Sequence, residues 1–246
     1  MSAHPDLDSA RMAWWLTAWL RGHARPSEVC EAVLDGDAAH DVVGLPGEES
    51  LPLLFALPAL RRTGAQGAGL ALPVAGHPAG LGGPAAFNRA ALEAGEAVVL
   101  VGAELGLVPH RAGAGVVWTA LPASRRQLTD LGEAARTMRR AWAETASRLA
   151  DLEVARWNPE VADALMNLRR RPALRHPDGV PADAVDLAVQ AQQALAIVDL
   201  ALADDGAAAT AAEAGARRTA LVELGRAARE AWVAAASPEV WPPAQT

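Results

Sequence analysis

Apolar positions repeat at helical spacing near both ends of this chain and lose that spacing in between. Met12, Trp15, Leu16, Trp19 and Leu20 fall at i, i+3, i+4, i+7 and i+8. That is the stripe of a helix from about Asp8 to Leu20, ended by Gly22 and Pro26. A short second helix is predicted next, with Ser27 as N-cap, Val29, Cys30 and Val33 inward, and Gly36 as its stop.

From about His40 to Leu121 glycine and proline become frequent and the pattern turns strand-like. Leu70, Leu72 and Val74 alternate with small residues, and Pro73 places that strand at a sheet edge. Ala97 to Val101 is a continuous apolar run, suited to burial on both faces, and Val116 to Leu121 is a third candidate. A helix from Pro84 to Ala94 lies between the first two, with Gly95 just past its end. Leu51 to Arg62 has helical leucines interrupted by Pro58, which predicts two short helical turns.

Beyond Ala123 the chain reads as helix almost throughout. Ser124 and Gln127 match a capping box. Leu128, Leu131, Ala135, Met138, Trp142, Thr145, Leu149 and Leu152 then alternate in steps of three and four, a heptad seam. Asn158-Pro159 opens a shorter helix ending at Arg171-Pro172, and a loop through His176 to Gly179 follows. A helix from about Asp183 to Asp204 is apolar on nearly every side and is expected to be central. Thr210 and Glu213 cap a last helix that runs to Ala236. The expected fold class is α+β and predominantly helical: a small three- to four-stranded sheet region packed against a C-terminal antiparallel helical bundle. Pro122 divides the halves, residues 1–122 from 123–246.

Composition sharpens this picture in a few places. Apolar residues make up 51% and charged residues 21% of the 246, which is the balance of a folded protein. Lysine and tyrosine are absent and Ile197 is the one isoleucine, a bias expected of a GC-rich bacterial genome. The net charge of −7 argues against nucleic acid as a partner. Cys30, the one cysteine, forms no internal disulfide and no cysteine-based zinc site. The start of the chain lacks a basic segment followed by an apolar core. The longest nearly apolar run, Leu51 to Leu60, is about half a bilayer span. A cytoplasmic protein with no membrane insertion is expected.

Two segments are candidates for chemistry. The turn from Gly76 to Pro84 follows a predicted strand and opens a predicted helix, and Gly80-x-Gly82-x-x-Ala85 imitates a dinucleotide fingerprint. Gly80, Gly82 and Gly83 would offer amides to an anion, His77 and Asn88 would supply polar groups, and Glu104 stands where a ribose-binding acid would be. Against this, the glycines start several residues after the strand, Pro84 removes an amide, and the helix is short for a βαβ crossover. Arg169, Arg170, Arg171 and Arg175 form the densest basic group, an anion site or an offset to the negative end of a helix dipole. The six histidines lack zinc-motif spacing, and no G-x-S-x-G is present, so neither a metal nor a cofactor is expected. Trp14 stands off its helix's stripe, either closing the edge of the core or anchoring a partner.

The leading expectation is a non-catalytic interaction or regulatory protein acting through its helical bundle, with a second copy or another protein as partner and a homodimer along the C-terminal helices. The alternative is a small-ligand or nucleotide-binding protein using residues 76–84.

Overall fold

The computed structural model describes residues 7–151, 174–203 and 211–243. Among these the chain forms seven helices and six strands, a mixed α+β fold. The N-terminal half runs α1 (Asp8–Leu20), α2 (Pro26–Leu34), β1 (His40–Val43), β2 (Ser50–Pro52), α3 (Leu53–Arg62), β3 (Gly67–Ala71), α4 (Ala85–Ala94), β4 (Ala97–Val101), β5 (Leu105–Ala112) and β6 (Gly115–Pro122). Then come α5 (Leu131–Asp151), α6 (Ala182–Ala203) and α7 (Ala211–Ala235). The expected helix from Asn158 to Arg171 and the Thr210 cap lie outside the described residues.

One six-stranded sheet, ordered β2-β1-β6-β5-β4-β3, replaces the expected three or four strands. β1 pairs with β6 in parallel, and every other pairing is antiparallel. Ala97–Val101 is β4 to the residue and Val116–Leu121 lies within β6, but the strand expected through Leu70, Leu72 and Val74 is β3 at Gly67–Ala71, with Leu72 and Val74 beyond its end. β1, β2 and β5 were not legible. The first two have four and three residues, too few for alternation to register. β5 carries Gly106 and Pro109, which read as breakers. Pro109 is tolerated because β5 pairs with β4 only through Gly106 and Leu107, so no β4 carbonyl awaits its missing N–H.

Period-two alternation sends β4 side chains to two cores. Val98 and Leu100 join Met12, Leu16, Leu57 and Trp118 beneath α1, α2 and α3. Ala97 and Val99 pack with Phe87 and Ala91 of α4 on the opposite face. A third core holds the helical half and takes in Trp14 from α1, Leu70 from β3 and Leu72 just past it. Trp14 is buried, its indole N–H donating to Ala235 O at 3.2 Å, so it joins the two halves.

β3 is an edge strand, although Pro73 lies beyond its end, and its edge is sealed. Thr17 Oγ1 both accepts from Ala68 N and donates to Ala68 O, each at 2.9 Å. Leu70 N–H donates to Ala236 O at 3.1 Å. A strand so occupied offers nothing for another chain to pair with.

Several local expectations are corrected. α2 begins at Pro26 with Arg25 before it, because the Glu28 carboxylate accepts the Arg25 N–H at 2.6 Å and does the capping expected of Ser27. Leu53–Arg62 is one helix with Pro58 inside it; the carbonyl Pro58 fails to bond belongs to exposed Leu54, where water can reach it. Ser124 and Gln127 cap nothing: residues 123–130 lie outside helix and strand, with Leu128 among them. α5 starts instead behind Asp130, whose Oδ1 accepts the Glu133 N–H at 2.9 Å. Within α5 the buried seam runs through Leu131, Ala134, Met138 and Thr145, while Trp142 stays 40% exposed. The helix shared by its neighbours is α7, which packs against both α5 and α6. α6 is buried on several sides but makes little contact with α5.

Candidate functional site

The glycine-rich turn is a packing device in this fold. After β3 the chain folds back through a Val74–His77 bridge and crosses beneath residues 124–126. Gly83 donates its N–H to Asn88 Oδ1 at 3.0 Å and accepts the Ser124 N–H at 2.7 Å. A Cβ on Gly82 would stand 2.8 Å from Arg125 O, and one on Gly80 2.7 Å from Leu70 O. Close backbone approach therefore accounts for these glycines without an anion. Glu104 lies across the 123–126 segment from the turn and opens onto a different cleft, so the two are not brought into one site.

Arg126 is the best-connected polar side chain among the described residues, and no motif pointed to it. Its guanidinium is almost wholly buried. It donates to Leu70 O, to Gly80 O at 3.1 Å, to Ser237 Oγ at 2.9 Å and to both oxygens of Glu239 at 3.0 and 3.2 Å. One cation thus ties the sheet edge, the glycine turn and the segment after α7 together. With every donor direction engaged, it is a positioning group with nothing to spare for a ligand.

Asp8, Asp37 and His40 bring three ligand-type atoms within 4.8 Å of one another, the one such group among the described residues. Their hydrogen bonds describe an ion-pair network. Trp118 Nε1, which can only donate, points at His40 Nδ1 at 3.2 Å, so the ring proton sits on Nε2 and is given to Asp37 Oδ2 at 2.9 Å. A ligating histidine needs the reverse: a bare nitrogen toward the metal and an N–H toward its support. Arg111 bridges Asp37 Oδ1 at 2.6 Å and Asp8 Oδ2 at 3.0 Å, and Arg11 bonds Asp8 and Asp35, so the carboxylates already have counter-charges. Burial pushes the Asp8 carboxyl up against the pull of Arg11 and Arg111. For Asp37 burial also pushes up, but the bonds from His40 and Arg111 win and hold it below the usual range. Beside them Glu96 is pushed up by burial and accepts the Ser9 N–H at 2.8 Å, capping α1 from β4's doorstep.

One open feature is a groove of about 700 Å³ between α5 and α7. Thr145 Oγ1 donates to Ala220 O at 3.2 Å and Leu131 N–H approaches Val240 O at 3.4 Å, which fixes the two helices as antiparallel. Arg140, Glu144 and Arg148 line one wall and Glu223, Arg226 and Glu230 the other. His77 reaches the end of the groove from the glycine turn. Its Nε2 is buried, 3.4 Å from Glu230 Oε1 but not hydrogen-bonded. Burial lowers its pKa, Glu230 opposes that, and Arg226 and Arg229 add to it.

Of the basic group, Arg169, Arg170 and Arg171 lie outside the described residues, and Arg175 pairs on the surface with Glu31 at 3.3 Å. Cys30 is half-buried, and burial raises its thiol pKa. No curated protein and no solved structure matches the chain. Residues 9–131 match the family model described as Rv1486c-like protein, N-terminal domain, and residues 132–233 the one described as Rv1486c-like protein, C-terminal domain. The boundary falls at the start of α5, between the sheet and the helices, and with both models matched the chain belongs to the Rv1486c-like family.

Proposed function

We propose that the protein is a non-catalytic interaction protein of the cytoplasm that associates with itself through its C-terminal helices. The observation carrying this reading is the groove between α5 and α7, open to solvent and floored by Ala134, Ala141 and Ala227. Small floor residues let a further helix approach closely. Trp142, exposed in the middle of α5, adds an aromatic surface of the kind that anchors partners. The net charge of −7 disfavours nucleic acid as that partner. α6 is the one described helix long and apolar enough to cross a membrane, but half of its apolar window lies inside the fold, which supports a core role.

Light scattering over about 1 to 100 µM tests association, a range in which a dimer of ordinary affinity forms. A mass of twice 25.5 kDa is expected, and 25.5 kDa at every concentration overturns the reading. A second reading, a small-ligand protein, has one feature in its favour. Glu104 and Arg125 face a cleft of about 1120 Å³, and neither has an ion-pair partner among the described residues.

A further inference from the structure

The charge order on the two walls of the α5–α7 groove identifies its occupant. Along α5, Arg140, Glu144 and Arg148 follow at intervals of four, about 6 Å apart on one face. None of the three has an ion-pair partner among the described residues, and all are exposed. Along α7, Glu223, Arg226 and Glu230 carry the opposite order at nearly the same spacing. The wall of α7 is therefore the complement of the wall of α5.

Within one chain the complement is out of step. Thr145 stands level with Ala220, so in an antiparallel pair Arg140 comes level with Gly225, beside Arg226 and further from Glu223, and like charges lie nearest each other. The α7 charges instead pair locally: Arg226 with Glu223 at 3.1 Å along the helix, and Glu230 toward His77. The Arg226–Glu223 pair is exposed and weak, and Glu230 makes no hydrogen bond to His77, so both can be exchanged.

We infer that a second copy of this chain docks in the groove, with α5 of each copy against α7 of the other. This rests on the self-association proposed above and names its surface. A two-fold axis makes each contact occur twice. The order acid–base–acid reads the same in both directions, so the match with base–acid–base holds whether the facing helices run parallel or antiparallel. Arg140, Glu144 and Arg148 then meet Glu, Arg and Glu across the interface, and the alanine floor admits the close approach that brings them together. The charges select this partner and register, while the apolar floor supplies most of the attraction.

A charge exchange tests it. One variant carries Arg140→Glu and Arg148→Glu, the other Glu223→Arg and Glu230→Arg. Each alone faces like charges across the interface, and its self-association should weaken at least about tenfold by light scattering. Mixed in equal amounts, the two should recover a species of twice the single-chain mass, because the reversed walls match again. Circular dichroism checks that each variant keeps its helices; should either lose them, the single changes Arg140→Glu and Glu223→Arg carry the same comparison. If the unaltered protein dimerises and the variants do so equally well, or if they separate and fail to pair on mixing, this surface is wrong while self-association stands. An unaltered protein that is monomeric throughout overturns both.

Discussion

At the scale of single residues, the tightest space beside any glycine among the described residues is the one around Arg126. A Cβ on Gly69 would stand 1.9 Å from Arg126 Nη2 and 2.8 Å from a Glu239 carboxylate oxygen. Gly69→Ala must therefore break the ion pair or move the strand. We expect a loss of about 3 kcal/mol or more, measured by urea unfolding; a loss under about 0.5 kcal/mol would mean the guanidinium is not where β3 needs it. His77 offers a test by pH. Its folded pKa lies below the usual 6.5, so the unfolded chain binds the proton more readily. The stability this contributes is present above about 6.5 and declines as pH falls through the interval down to the folded value. His77→Gln should flatten that part of the stability–pH curve, and an unchanged curve would place the decline elsewhere. Neither role was legible in the sequence. Arg126 stood inside an apparent capping box, and only the convergence of Leu70, Gly80, Ser237 and Glu239, from distant parts of the chain, makes it a hub.

At the scale of elements, legibility followed length and periodicity. α1 was read from a repeat of apolar positions and β4 from a continuous apolar run, and their bounds match the expectation. β1, β2 and β5 were lost because a strand of three or four residues carries too little pattern, and because Pro109 is permitted by the length of its neighbour. The start of α5 was misplaced by six residues or more for a different reason. Local capping chemistry at Ser124 competes with the burial of Arg126, and the tertiary network prevails. Leu131, now the first residue of α5, is buried against the helical core. Leu131→Ala should cost about 2–4 kcal/mol in denaturant unfolding, the range for a leucine that leaves a cavity. A cost near zero would detach the start of α5 from the core. For the candidate site, the sequence supplied the glycines and His77 but not their purpose. Composition cannot say whether a glycine exists for a ligand or for a crossing backbone.

At the scale of the whole molecule, the two halves share one hydrophobic core, and hydrogen bonds from earlier chain to the end of α7 and the segment after it fasten its rim. Trp14 bonds to Ala235, Leu70 to Ala236, and Arg126 to Ser237 and Glu239. The sheet half has its own two cores, so its interior does not depend on the helices, but its outer strand does. That has a consequence for the order in which the protein is made. On a ribosome β3 emerges long before the groups that close its edge. At about 5–20 residues per second, the strand waits on the order of ten to thirty seconds with Leu70 uncovered. Thr17 lies upstream of β3, and its two bonds to Ala68 need nothing that is made later. We expect the threonine on α1 to guard half of that edge on the nascent chain until the end of α7 arrives to take the rest.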